Sequence, residues 1–158
     1  MKLETGPITG RENNNEITSP FSVLVAFYDA FNRRDLQKMS QHWAHTDDAA
    51  MNNPLGGIKR GWNEIQAVYE RIFHGQTRVY VELYDYTIHE YADLFYVVGR
   101  ERGEFQSDAV KLNLMIRTTR LYKRIDGEWK QIHHHGSIDD PDLLKKYQTL
   151  LRAGTINK

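Results

Sequence analysis

The chain has 158 residues, 40% of them apolar, 27% charged and 11% aromatic, and its 21 Lys and Arg balance its 21 Asp and Glu. That size predicts one compact domain, with a radius of gyration of about 15 Å and room for a ligand-sized pocket; the neutral balance offers no basic surface for nucleic acid. The absence of cysteine excludes disulfides, thiolate nucleophiles, iron–sulfur clusters and Cys-based zinc sites. No run approaches the roughly 20 apolar residues of a membrane span, and residues 1–15 lack the apolar core of a signal peptide, so a soluble, cytoplasmic protein without membrane contact is expected.

Residues 1–17, with Gly6, Pro7, Gly10 and Asn13-Asn14-Asn15, carry no hydrophobic period and read as a flexible tail. Ser19 followed by Pro20 opens a helix over 20–33: the hydroxyl can take a free backbone N–H, and proline suits the first helical position. Phe21, Leu24, Phe27, Tyr28 and Phe31, widened by Val23, Val25 and Ala26, predict cover on most sides of that helix. After a turn over 32–35, Asp35 caps a second short helix ending near Trp43. Residues 49–53 form a short strand, stopped by Pro54 and Gly56-Gly57. A third helix begins near Gly61, with Trp62, Ile65, Tyr69 and Ile72 at helical spacing and Gly75 at its end. The period then changes, and 77–90, 94–105, 109–125 and 129–138, rich in Val, Ile, Tyr, Phe and Thr, read as strands. Asp126-Gly127 suits a two-residue hairpin, whose central residues must both tolerate positive φ. Asp139 or Asp140 and then Pro141 open a last helix carrying Leu143, Leu144, Tyr147, Leu150 and Leu151, closed by Gly154. Consecutive strands with short turns after a group of helices predict an α+β fold, with an antiparallel meander curled around the helices.

Parity along 109–125 puts Val110, Leu112, Leu114, Ile116, Thr118, Arg120 and Tyr122 on one face. Arg120 ends that apolar face, so its guanidinium needs a carboxylate, a carbonyl or a ligand anion. On the preceding strand Tyr96, Val98 and Arg100 share a face, which makes Arg100 a weaker candidate of the same kind and points Glu101 the other way. In the last strand Ile132, His134, Gly136 and Ile138 form the more apolar face, so His134 is placed toward the interior. His133 and His135 share the other face at a spacing that can co-ligate a metal, but the sequence offers no third ligand and no metal site is expected. Asn52 and Asn53, at the end of the short strand, can reach into the mouth of a cavity or satisfy their own loop. Trp43 and Trp62 carry indole N–H groups that need partners. Gly56-Gly57 has neither the spacing of a dinucleotide loop nor the Lys-Ser/Thr of a phosphate loop, and no serine lies in a Gly-x-Ser-x-Gly context, so no cofactor is expected.

The run Phe27-Tyr28-Asp29-Ala30-Phe31-Asn32-Arg33-Arg34-Asp35-Leu36 resembles the first-helix signature of the nuclear transport factor 2-like superfamily, including SnoaL-like and ketosteroid-isomerase-like proteins. Residues Ile116 to Ser137, around Arg120, Asp126-Gly127 and His133-His134-His135, look like the closing hairpin of the SnoaL-like branch. They are also similar to the association domain of calcium/calmodulin-dependent protein kinase. This resemblance covers residues 20–137 and implies a cystatin-like α+β roll. A strongly curved antiparallel sheet forms a cone closed by N-terminal helices, with a pocket inside and a homodimer packed through the outer sheet face. The expected organisation is a tail over 1–17, a cone domain over 18–138 and a C-terminal helix and tail over 139–158.

In steroid isomerases of the superfamily a first-helix tyrosine and a strand carboxyl hold the enolate oxygen, and an aspartate before a proline moves the proton. The matching positions here are Phe27, Thr118 and Asn53, so that catalytic set is not retained. Against the kinase association domain, whose pocket carries arginines, Arg120 and Arg100 match, while Gly136 stands where a further charge would be. The resemblance therefore implies a cone pocket for a small, anionic or carbonyl-bearing apolar molecule, lined by Phe27, Tyr28, Trp43, Asn53, Arg100 and Thr118. If the protein is an enzyme, His134 would shuttle protons and Arg120 would stabilise charge in a cofactor-independent isomerase, dehydratase or cyclase reaction. The alternative is a non-catalytic assembly or accessory domain acting through its sheet face. Arg120 paired to an internal acid beneath a plug of Tyr and Trp would favour assembly, and an open cavity with Arg120 unpaired would favour ligand chemistry.

Overall fold

The computed structural model describes residues 2–4, 6–13, 16–107 and 110–156. In chain order the elements are β1 (Lys2–Glu4), α1 (Pro20–Asn32), α2 (Leu36–His42), β2 (Ala50–Asn52), β3 (Lys59–Arg60), α3 (Gly61–His74), β4 (Arg78–Glu90), β5 (Leu94–Gln106), β6 (Lys111–Ile125), β7 (Glu128–Ser137) and α4 (Pro141–Ile156). Among the described residues no helix is long and apolar enough to cross a membrane.

The caps act as the sequence predicts. The Ser19 hydroxyl accepts from the Ser22 backbone N–H at 3.2 Å while the Ser19 N–H donates to the Ser22 hydroxyl at 3.0 Å. Asp35 accepts from the Lys38 N–H at 2.9 Å and starts α2. Asp126 and Gly127 stand at φ 51° and 84°, a turn whose twist matches that of the long β6–β7 hairpin. α4 runs through Gly154 to Ile156 rather than stopping at the glycine.

The sheet has seven strands in the order β1-β4-β5-β6-β7-β2-β3. It is antiparallel from β1 to β7, as the meander predicts, but β2 lies parallel to β7, with Met51 opposite His134. The short strand β2 thus adds one parallel pairing to the expected antiparallel meander. The chain leaves β2, passes through α3 and three long strands and returns beside it, a connection long enough to permit parallel pairing. Helices α1, α2 and α3 fill the concave side, and Phe27, Tyr28, Met39, Trp43, Ile65 and Tyr69 are each no more than 3% exposed.

The flexible-tail reading of 1–17 is corrected. β1 pairs with β4 through Lys2–Ile88, Leu3–Thr87 and Glu4–Tyr86, and Ile8, fully buried, exchanges both backbone hydrogen bonds with Leu83 at 2.8 and 2.9 Å. Glu12 then takes the Thr9 and Gly10 N–H groups at 2.7 and 2.9 Å. The segment is held by backbone pairing at a sheet edge, which leaves no side-chain period to read. Asn14 and Asn15, within the same expectation, lie outside the described residues.

Two irregularities set which side chains face inward. The β4–β5 register shifts between Tyr84 and Thr87, around Asp85 at φ 47°, so that Leu83 and Tyr86 are both buried. In β7 Ile132 is the extra residue of a bulge, since Leu121 pairs with His133 and Tyr122 with Gln131, and Gln131 and His134 are both turned inside.

Candidate functional site

The concave face of β5, β6 and β7 carries a polar cluster inside an otherwise apolar and aromatic core. Arg120 lies where the parity of β6 predicts, 3% exposed, and its Nη2 donates to Glu101 Oε1 at 2.7 Å. Its Nη1 donates to Gln131 Oε1 at 3.3 Å, and the Tyr28 hydroxyl donates to the same Glu101 oxygen at 2.6 Å. The guanidinium carbon stands 4.0 Å from the centroid of the Phe27 ring and 5.5 Å from that of Tyr28. Trp43 completes the wall, its indole N–H donating to the Tyr69 hydroxyl at 3.2 Å. Burial pushes the Tyr69 phenol up to about 12, and it also raises Tyr28 well above its ordinary range, with the Glu101 charge reinforcing that shift. Both hydroxyls are therefore neutral hydrogen-bonding groups near pH 7.

The paired Glu101 corrects the reading of β5. The inward residues are Phe95, Val97, Glu101 and Phe105, while Arg100 lies on the outer face, paired with Asp85 at 3.2 Å with about half of its side chain exposed. Arg100 therefore does not line the interior. Both parities of β5 are apolar near its start, and the choice between them falls to the register across β4 and β6. Asn53 takes the loop-satisfying place of the two expected for it, its Oδ1 accepting from the Leu55 N–H at 3.1 Å. Tyr28, one residue from Phe27 and rotated about 100° from it on α1, still reaches the interior because that helix is covered on most sides.

His134 is buried as predicted, its Nε2 facing the Thr118 hydroxyl at 3.2 Å. Burial, aided by the Arg120 charge, holds its pKa well below the ordinary value, so the ring is neutral near pH 7. Phe27, Tyr28, Trp43, Thr118, Arg120 and His134 thus gather in one interior, joined by Glu101, Gln131 and Tyr122. The inward turn of Gln131 depends on the β7 bulge. The only sequence signal for Glu101 is that it shares parity with Phe95, Val97 and Phe105. Among the described residues, Arg120 Nε, Tyr122 Oη, Gln131 Nε2, His134 Nδ1 and Asn52 Oδ1 are buried without a hydrogen-bond partner.

The rim of the fold contains a second buried histidine, His42, at the end of α2. Burial, then Lys130, lowers its pKa from an ordinary 6.5 to about 4. The unfolded chain binds this proton below pH 6.5, whereas the folded chain resists it down to about pH 4. Its contribution is therefore complete above the higher value and is lost as the pH falls through the lower one, about 3 kcal/mol in all. Thermal melting should fall across this window, and His42→Gln should flatten the fall. An equally steep fall in the variant would assign it to other groups, among them His134, which acts in the same direction.

Known proteins place this geometry in a family. A protein assigned as a dehydratase of the nuclear transport factor 2-like family from Streptomyces avermitilis superposes with a TM-score of 0.66 at 21% identity, over 73% of this chain and 89% of that one. One assigned as a calcium/calmodulin-dependent protein kinase type II association domain from Thiobacillus denitrificans gives 0.61 at 25% identity, over 78% and 98%. A ketosteroid isomerase-like protein from Erwinia carotovora atroseptica gives 0.64 at 23% identity, over 82% and 100%. No curated protein matches the chain. The family model for the SnoaL-like domain matches residues 22–141, from the first turn of α1 to the first residue of α4, and the chain therefore belongs to the SnoaL-like domain family.

Proposed function

We propose that this chain is a non-catalytic SnoaL-like assembly or accessory domain that acts as a homodimer through the outer face of its sheet. The observation that carries this reading is the Arg120–Glu101 pair, whose side chains are 3% and 4% exposed beneath Phe27 and Tyr28. An arginine already matched by a carboxylate has no net charge to offer an anionic ligand, and removing either partner from a dry interior is costly. The pair therefore serves to hold β5, β6 and α1 together, in place of the anion-holding role the sequence suggests. The steroid-isomerase positions offer no substitute chemistry, since Phe27 packs against the guanidinium and Asn53 is bound to Leu55.

The outer face has the character of a self-complementary surface. Met115 and Val98 are 59% and 45% exposed on adjacent strands. They stand on either side of the facing Arg100 and Arg117, among the ion pairs Arg100–Asp85, Arg102–Glu82 and Lys111–Glu104, so the face mixes apolar side chains with charges of both signs. The double variant Val98→Asp/Met115→Asp should sediment as a monomer with its melting transition intact, against a wild-type dimer. A wild-type chain that sediments as a monomer at micromolar concentration would remove the proposal.

A further inference from the structure

The turn between α1 and α2 places an arginine where the backbone favours glycine or asparagine. Arg34 stands at φ 60°, a left-handed position that is unfavourable for a residue with a Cβ. From there its side chain crosses to the end of α3, where Nη2 donates to the Ile72 and Gly75 carbonyls at 3.3 and 2.6 Å. Both bonds use one nitrogen, and among the described residues Nη1 and Nε have no protein partner. The carbonyl end of a helix carries only about half a unit of negative charge, and the last turn of α3 already sets Arg71 and His74 against it. Arg34 therefore caps α3 and keeps a net positive charge.

Arg33, Arg34 and Arg78 line one open cavity of about 410 Å³, together with Tyr80, Glu104 and Gln106. The acids beside it are engaged elsewhere. Glu104 pairs with Lys111 at 2.7 Å, and Asp29 is shared between Arg33 and Lys38. Among the described residues no carboxylate pairs with Arg34 or Arg78. This separates the cavity from Arg120, whose charge Glu101 cancels. A backbone donor faces the same place. Val81 turns its N–H and C=O toward Asn32 at the outer edge of β4, and the alternation of an antiparallel ladder turns the Val79 N–H, two residues earlier, to that edge as well.

We propose that this cavity is a binding site for a small organic phosphate, whose oxygens accept from Arg33, Arg34, Arg78 and the Val79 N–H. Guanidinium groups match phosphate oxygens in shape as well as charge, and a dianion gains from several of them at once. The cavity is larger than a phosphate group alone requires, and Tyr80 in its wall offers an aromatic surface to an organic body. The site lies at the edge of β4, away from the Arg120 interior. It goes beyond the assembly reading and does not depend on it.

The test titrates inorganic phosphate and phenyl phosphate into the isotope-labelled full chain, at a pH where both are dianionic and at constant ionic strength balanced with chloride. The Val79 amide resonance should shift saturably, and phenyl phosphate should bind more tightly than inorganic phosphate. Arg78→Met, an exposed change, should weaken both by at least about tenfold while the melting temperature stays within about 2 °C of wild type. Arg34→Lys keeps a charge near the α3 carbonyls but loses the planar fork, and it should weaken binding too. Arg60→Met removes the same charge at the other end of α3 and should leave both affinities unchanged. A Val79 shift that does not saturate, or a loss in Arg60→Met equal to that in Arg78→Met, would reduce the effect to general charge screening and overturn the site. Phenyl phosphate binding more weakly than inorganic phosphate would overturn the organic ligand. Sedimentation of the same samples reads the dimer independently, so failure here is separable from failure of the assembly proposal.

Discussion

Glu101→Gln should destabilise the protein by about 3–5 kcal/mol, the usual cost of leaving one member of a buried ion pair uncompensated. The amide keeps the shape of the side chain and an oxygen to accept from Tyr28, so the loss isolates the charge that now faces Arg120 at 2.7 Å. Arg120→Met in the same background should restore most of the stability, because the flexible thioether fills the space under Phe27 without demanding a partner. Urea unfolding of the single and double variants measures the coupling directly. A single-variant loss below about 1 kcal/mol would mean that the interior solvates the guanidinium, and the structural role assigned to the pair would fall with it.

Gly103→Ala should cost about 3 kcal/mol or more, beyond the ordinary range for overpacking. A Cβ at this position would overlap the Tyr80 carbonyl oxygen and approach Val81 Cα to 2.9 Å, and both obstacles are backbone. No rotamer change can relieve the overlap, so β4 must move away from β5 where Val81 faces Gly103. Since β4 also carries β1 and the Asn32 contacts, the expected result is a lower denaturation midpoint together with faster amide exchange at the Arg78–Leu83 end of β4. An alanine variant as stable as wild type would show that the two strands can separate there without loss.

The comparison of β5 and β6 shows why only part of the interior was legible. In β6 the even positions run Leu114, Ile116, Thr118, Arg120, Tyr122 against Met115, Arg117 and Thr119, and that contrast fixes the buried face by itself. In β5 the pairs Phe95/Tyr96 and Val97/Val98 are alike, and Arg100 and Glu101 are both charged, so parity leaves the face undecided. The fold decides it through a neighbour: the irregularity at Asp85 sets the β4 register, and β5 follows. The partner of Arg120 was hidden for the same reason, being 19 residues away on a strand whose inner face could not be chosen. His134 was found because its apolar neighbours Ile132 and Ile138 share its parity, whereas Gln131, of opposite parity, enters only because Ile132 is bulged out of the ladder. Helix caps, the hairpin turn and the family resemblance are local patterns, and these the chain displays openly.

The outer edge of β4 has a further consequence. A strand of 13 residues rich in Val and Tyr is an invitation to any other extended chain, since its outer backbone groups await partners. Here each stretch of that edge is answered by a different device. Asn32 imitates a strand with its side-chain amide, giving to the Val81 carbonyl at 2.9 Å and taking from the Val81 N–H at 3.0 Å. Ile8 answers Leu83, and Lys2–Glu4 answer Tyr86–Ile88. The opposite edge ends on β3, only two residues long. The first residues of the chain therefore act as a guard against amyloid-like stacking, and a shortened product that begins at α1 would keep the cone's interior but lose much of its protection from copies of itself.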